Sequence, residues 1–135
     1  MRTKQVRPDK LDFEYELHLS REFDSVLKKY YLLFDFRTVK VFEFFIYKIN
    51  VKEKILADKN EIHFNIEGLS APILSLSKSG FAAYQYKLLN FKNSEYIIVL
   101  TKKRANKNIF RIKINPKNIK LISQSPKRFI KLIIV

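Results

Sequence analysis

A dense run of positive charge is the first feature of this sequence that could do chemistry. The segment TKKRANKNIFRIKI, residues 101–114, carries six cationic side chains and no carboxylate. Closely spaced Lys and Arg side chains without acidic neighbours can hold the phosphate or carboxylate groups of a polyanion. The candidate polyanion-binding residues are Lys102, Lys103, Arg104, Lys107, Arg111 and Lys113.

The charge of the whole chain is divided unevenly between its two halves. Of the net charge of +14 over 135 residues, residues 1–67 contribute +1 and residues 68–135 contribute +13. Glu95 is the one acidic residue of the second half, and the forty residues after it contain none. Codon usage can favour Lys over Arg, but it does not account for missing Asp and Glu. The asymmetry therefore indicates a nucleic-acid or membrane-surface partner.

The aromatic residues are separated from this positive charge. Twelve of the nineteen Phe and Tyr residues lie in residues 1–67, whereas residues 101–135 contain only Phe110 and Phe129. Proteins that bind single-stranded nucleic acid place exposed aromatic rings among their basic residues. The sequence therefore favours a salt-dependent contact with phosphate groups over recognition of bases.

The two histidines, His18 and His63, are the other candidates for chemistry. His63 shares the polar face of a predicted strand with Glu61, Asn65 and Glu67, which could serve a metal ion or acid–base catalysis. Alternate side chains on one strand are about 7 Å apart, so a tight site needs ligands from a neighbouring strand. We therefore interpret both histidines as members of solvated strand faces and predict no metal site.

Motifs of catalysis and cofactor binding are missing from the sequence. There is no cysteine, which excludes a disulfide framework, a thiol nucleophile and a cysteine-based zinc site. The segment SLSKSG (75–80) lacks the P-loop pattern and is typical of a Ser-rich turn. No nucleophile-elbow, GxGxxG or HExxH pattern occurs. We predict no catalytic residues and no cofactor, and expect that the protein is not an enzyme.

The elements that position these residues are predicted to be strands. Apolar and polar residues alternate with a period of two in many short segments separated by polar or Pro- and Gly-containing breaks. The predicted strands are 11–19, 39–52, 61–67, 81–91, 95–103, 108–114, 119–123 and 128–135. This spacing predicts a mainly β fold, an antiparallel two-sheet sandwich of the immunoglobulin-like or a similar Greek-key type.

One segment follows a helical period instead. In SREFDSVLKKYYLLF (20–34), apolar residues recur at i, i+3, i+4, i+7, i+8 and i+11, starting from Phe23. Ser20 can cap such a helix, and Glu22 and Asp24 suit its positive end. We therefore predict one short helix near residues 21–33.

The basic run itself is predicted to form a hairpin. If Arg104 to Lys107 form the loop, Lys103 pairs with Asn108 and the register of both strands follows. Ile97, Val99 and Thr101 then face the core together with the apolar residues of the second strand. Lys102 shares the opposite face with Arg111 and Lys113.

The chain is predicted to hold a single domain over residues 11–135, preceded by a loosely ordered segment, residues 1–10. No apolar run is long enough to span a bilayer and no secretory signal is visible, so we expect a cytoplasmic protein. The apolar strand at 128–135 either completes a sheet or pairs with another chain to form a homo-oligomer.

The function predicted from these observations is a non-catalytic binding or interaction module with a basic face in its C-terminal half. Its partner would be an unknown protein or a polyanion. The alternative is weak, sequence-nonspecific binding of nucleic acid through that face, and the third hypothesis is an enzyme without a recognisable motif.

Overall fold

The chain folds into two packed β-sheets. A computed structural model describes residues 14–46, 48–69, 73–102 and 106–135. Within these residues the strands are β1 (Tyr15–Asp24), β2 (Lys29–Ile46), β3 (Ile49–Leu56), β4 (Glu61–Leu69), β5 (Ile73–Leu88), β6 (Glu95–Lys102), β7 (Asn106–Ile114), β8 (Ile119–Gln124) and β9 (Ile130–Ile134). A short 3₁₀ helix, Ala57–Lys59, joins β3 to β4.

The strand order confirms the predicted two-sheet sandwich. The first sheet has the order β5-β2-β1-β9, and the second has the order β3-β4-β6-β7-β8. Most neighbouring strands are antiparallel, as predicted. Each sheet also holds one parallel pair, β1 with β9 in the first and β4 with β6 in the second. The sheets are therefore mixed, and not purely antiparallel.

The core lies between the two sheets and contains a cluster of aromatic rings among Leu and Ile side chains. Phe34 and Phe36 of β2 and Phe64 of β4 are fully buried. The ring of Phe64 lies 5.1 Å from that of Phe34 and 5.0 Å from that of Phe36, at tilted or edge-on angles that aromatic pairs prefer. Because these rings belong to different sheets, their contact joins the two layers.

The prediction of a helix near residues 21–33 is wrong. β1 continues to Asp24, residues 25–28 form a turn, and β2 begins at Lys29. The Asp24 carboxylate accepts hydrogen bonds from the backbone N–H groups of Val26 and Leu27, at 2.9 and 3.0 Å, which closes the turn. These two N–H bonds also lower the pKa of Asp24.

Most of the apolar stripe that suggested the helix does not face the core, and Phe34 at its end is the exception. Phe23, Val26 and Tyr30 from that stripe are each more than half exposed. The buried residues nearby, such as Leu19 and Leu32, follow the strand period of two instead. The apparent helical period therefore arose from exposed apolar residues around a tight hairpin turn.

The register of β6 against β7 also differs from the prediction. Asn108 pairs with Leu100, and Phe110 pairs with Ile98. The predicted pairing of Asn108 with Lys103 is therefore displaced by three residues. An odd displacement exchanges the two faces of a strand. Ile98 and Leu100 consequently fill the core, where Ile97 and Thr101 were predicted to lie.

Two further predictions fall on the described residues, and one lies outside them. The segment 75–80 lies inside β5 and does not form the predicted turn. The predicted N-terminal segment, residues 1–10, lies outside the described residues. In the part of the chain that the structure describes, no helix is long and apolar enough to cross a membrane.

Candidate functional site

Three of the six predicted polyanion-binding residues lie on one face of β7. Along this strand, Asn108, Phe110, Ile112 and Ile114 are buried, so the residues between them point outward. Lys107, Arg111 and Lys113 are all exposed on this outer side. Lys120 of β8 lies directly opposite Lys113, on the same side of the second sheet. We call Lys107, Arg111, Lys113 and Lys120 the basic face.

Lys102 does not belong to the basic face, which corrects the prediction made from the register. It lies on the inner side of β6 and is only 9% exposed. Its Nζ forms an ion pair with a carboxylate oxygen of Glu14 and lies 5.3 Å from the centre of the Phe129 ring. The charge of Lys102 thus connects β6 to the start of β1 and to the residue before β9. Lys103 and Arg104, the other two predicted residues, lie outside the described residues.

The basic face is poorly neutralised by its own surroundings. None of its four residues takes part in the ion pairs found among the described residues. Lys113 has Glu95 opposite it on β6, but on β8 it has Lys120. Like charges in directly opposite positions destabilise a sheet. From Lys107 to Lys113 the face extends about 20 Å along the strand, at roughly 3.3 Å per residue.

Apolar side chains lie among the cations of this face. Ile109 lies between Lys107 and Arg111 on the outer side of β7 and is 41% exposed. Ile122, next to a register irregularity of β8, is 47% exposed. None of the large exposed apolar residues on the described part of β7 and β8 is aromatic. The face therefore combines charge with aliphatic surface and offers no exposed ring for stacking.

Each histidine contacts one carboxylate on its own strand. The Nε2 atom of His18 lies 3.1 Å from Glu16 Oε1, and that of His63 lies 3.0 Å from Glu61 Oε1. Among the described residues no group of three His, Cys, Asp or Glu side chains could hold a metal ion. Each histidine therefore forms a two-member pair, and the histidine on β4 has Lys54 and Val99 as its cross-strand neighbours.

A cleft that the sequence did not predict opens at one end of the sandwich, between the two sheets. Its volume is about 590 Å³, and the segment 89–93, between β5 and β6, forms one wall. The end of β1, the start of β2 and the 3₁₀ connection from β3 to β4 complete it. We call it the end cleft.

Arg21 is the central polar residue of the end cleft. Its guanidinium carbon lies 4.8 Å from the centre of the Tyr30 ring and 5.1 Å from that of Phe91. Its Nη1 donates hydrogen bonds to the side-chain oxygen of Asn93, at 2.9 Å, and to the backbone oxygen of Asn115, at 3.0 Å. The guanidinium group is thus held between two rings by neutral partners.

The sequence could not identify the end cleft because its residues come from distant segments. Arg21 and Tyr30 were assigned to the helix that the structure replaces with a hairpin. One signal was present: Phe91, the last residue of the strand predicted over 81–91, is a large apolar residue that also stands in the polar break NFKNS (90–94). An aromatic ring in such a break indicates that the loop packs against something.

Comparison of the chain with protein-family models, with curated proteins and with solved structures found no match. Its function must therefore be inferred from its own residues and geometry.

Proposed function

We propose that this protein is a non-catalytic interaction module that binds an acidic partner on its basic face. The observation that carries this proposal is the direct pairing of Lys113 with Lys120 on neighbouring strands. Both side chains are exposed, and neither has an ion-pair partner among the described residues. Repulsion between these cations is relieved when a partner brings carboxylate or phosphate groups between them.

The partner that fits this face best is an acidic protein segment. The aliphatic side chains of Ile109 and Ile122 beside the cations can pack against apolar side chains of a partner, which nucleic acid does not offer. Base stacking would need exposed aromatic rings. Sequence-nonspecific contact with nucleic acid through Lys107, Arg111 and Lys113 is the second candidate, since phosphate groups satisfy the same charges.

A non-catalytic role is supported by the contacts of the two histidines. Each imidazole is held by a glutamate two residues earlier, on a strand face that also carries ordinary cross-strand pairs. Such an arrangement fixes a strand surface. General acid–base catalysis would need these groups to converge on a reacting atom.

The proposal is tested by reversing the paired charges. The double variant Lys113→Glu/Lys120→Glu changes the basic face, and Lys52→Glu/Lys54→Glu makes the same change of net charge at β3, the far edge of the same sheet. Binding of fluorescently labelled poly-glutamate and of a short DNA duplex is measured by anisotropy at low and moderate salt. We expect the first variant to weaken poly-glutamate binding by about tenfold or more, since each surface charge contact contributes up to about 1 kcal/mol.

The control variant separates a specific face from simple net charge. If Lys52→Glu/Lys54→Glu weakens binding as much as the change on the basic face does, the proposal fails. Binding to DNA without binding to poly-glutamate would favour the second candidate. Binding to either polymer that does not fall as salt rises would contradict an electrostatic contact altogether.

The cytoplasmic location and the homo-oligomer predicted through residues 128–135 stay predictions. β9 is the last strand of the first sheet, and its inner residues Ile130, Leu132 and Ile134 pack against the core. The strand therefore completes a sheet through its pairing with β1, and a second copy of the chain would have to use its other edge.

A further inference from the structure

We propose that the end cleft binds a small organic anion, in which a carboxylate, sulfonate or phosphate group is attached to an apolar or aromatic body. This site is independent of the basic face and of the function proposed for it. It combines an arginine without an acidic partner, an excess of positive charge, an apolar lining and a fixed wall.

Arg21 has no acidic partner among the described residues. Its two hydrogen bonds go to neutral oxygen atoms of Asn93 and Asn115, and it forms no ion pair among the described residues. Its Nε is buried and has no hydrogen-bond partner in the part of the chain that the structure describes. A charge that is partly withdrawn from water, like that of the half-buried Arg21, is stabilised by a partner of opposite sign. An oxyanion bound in the end cleft against the accessible part of this guanidinium group would supply the missing charge.

The other residues that line the end cleft add to its positive charge. Lys29 and Lys92 bring two further cations to it, and Glu61 is its one described acidic residue. The carboxylate of Glu61 is itself in contact with His63, at 3.0 Å. With Arg21, the lining thus carries three cations against one carboxylate, which attracts an anion and disfavours a cation.

The end cleft has a size and an apolar lining that suit a small organic molecule. A volume of about 590 Å³ lies within the range of roughly 300–1,000 Å³ that small-molecule sites occupy. Leu88, Leu89, Phe91 and Tyr96 line it together with the Tyr30 ring beside Arg21. These side chains offer an apolar and aromatic surface to the body of a ligand. A free inorganic anion would leave most of this surface uncovered.

The wall of the end cleft is fixed by hydrogen bonds. The backbone N–H of Lys92 donates to the Tyr96 hydroxyl oxygen, at 2.8 Å. Asn60 Nδ2 donates to Ser94 Oγ, at 3.3 Å, and the N–H of Ile114 donates to the Ser94 carbonyl oxygen, at 2.9 Å. A wall held in this way loses little conformational freedom when a ligand binds, which favours affinity.

The experiment uses the full chain and the fluorescent probe 8-anilinonaphthalene-1-sulfonate, an aromatic anion. Its uncharged analogue N-phenyl-1-naphthylamine serves as the matched control, since it has the same aromatic body without the sulfonate group. We expect saturable binding of the sulfonate at one site, with at least about tenfold weaker binding of the uncharged analogue. Amide shifts in NMR spectra should concentrate in residues 89–93.

Three variants place the probe in the end cleft. Lys92→Glu and Leu89→Glu change exposed side chains, so that the fold is preserved, and each should weaken sulfonate binding by about fivefold or more. Arg21→Gln should weaken it further, with circular dichroism as the check that this variant folds. Lys113→Glu/Lys120→Glu, on the basic face, should leave probe binding unchanged, whatever the outcome of the poly-glutamate measurements.

The proposal is overturned by any of three results. The first is equal affinity for the sulfonate and for its uncharged analogue, which would show that Arg21 and its neighbouring lysines play no part. The second is unchanged binding to Leu89→Glu and Lys92→Glu. The third is binding that does not saturate, or shifts spread over the whole surface, which is the behaviour of unspecific adsorption.

Discussion

The pairing of β6 with β7 predicts which of two adjacent isoleucines supports the fold. Ile98 is fully buried, with Ile62 and Phe110 as its cross-strand neighbours. Ile97 lies on the outer face, half-buried between Glu61 and Arg111. The substitutions Ile97→Thr and Ile98→Thr make the same chemical change at both positions. Because threonine is also β-branched, neither change alters the intrinsic preference for a strand.

The expected cost of Ile98→Thr follows from the burial of this side chain. Loss of about one methylene group costs about 0.8 kcal/mol. A hydroxyl group placed in an apolar core costs a further 1–3 kcal/mol, roughly, by comparison with other proteins. The sum is about 3 kcal/mol of unfolding free energy. For Ile97→Thr we expect less than about 1 kcal/mol, because the side chain keeps contact with water.

Urea unfolding followed by circular dichroism measures both values. With a slope of about 2 kcal/mol per molar urea, Ile98→Thr should lower the midpoint by about 1.5 M and Ile97→Thr by less than about 0.5 M. An unchanged slope in both variants shows that the comparison is between the same folded and unfolded states. If Ile97→Thr proves equally or more destabilising, the register described for β6 is contradicted. Ile97 would then face the core, and Lys102 would lie on the outer surface.

Two further predictions concern single side chains at the hairpin turn and in β5. Lys28 adopts a positive φ of 53°, a conformation that glycine adopts without steric cost. Lys28→Gly should therefore raise the unfolding free energy by about 0.5–1 kcal/mol, as measured by thermal melts. Lys29→Gly, inside β2, should lower the unfolding free energy. Burial and a 2.6 Å hydrogen bond to Glu53 raise the pKa of Tyr84 above its ordinary value of 10.0. The protonated Tyr84 therefore stabilises the fold fully below about pH 10, and this stabilisation is lost as the pH rises through the raised pKa. Tyr84→Phe should therefore reduce the loss of stability above pH 10, and an unchanged alkaline unfolding profile would contradict this assignment.

The alternating strands were predictable because the polarity of each side chain indicates which face of the sheet it lies on. In β1, Leu17 and Leu19 are buried and His18 between them is more accessible, as the alternation in the sequence indicated. The same holds for β4, where Ile62, Phe64 and Ile66 are buried. A pattern of this kind needs no knowledge of neighbouring strands, and it was sufficient to predict the two-sheet sandwich.

The register of β6 could not be predicted from the same pattern. Its centre reads Ile97, Ile98, Val99 and Leu100, so both faces are apolar and neither parity is favoured. The predicted register therefore depended on the loop alone. A loop assigned to residues 104–107 made the second strand begin at residue 108, whereas β7 begins at Asn106. Val99 is itself only 5% exposed although it lies on the outer side, which shows that this strand is covered on both faces at its centre.

The end cleft could not be predicted from the sequence for a different reason. Arg21, Phe91 and Asn115 lie in three segments that meet only when the two sheets pack and the segment 89–94 folds across their end. Local periodicity carries no information about such a meeting. The predicted helix near residues 21–33 added to the difficulty, because it assigned Arg21 to a helix, whereas Arg21 lies in β1 beside the end cleft.

The division of the basic run between two faces determines what this surface can bind. Consecutive residues of a strand point to opposite sides, so six charges in one run cannot all reach one face. The fold directs Lys102 inward, where Glu14 neutralises it, and leaves Lys107, Arg111 and Lys113 outside. The β7–β8 hairpin then sets Lys120 opposite Lys113, a like-charge pair that destabilises the second sheet. Under the proposed function, an acidic partner would relieve this repulsion, and that relief would contribute to its affinity.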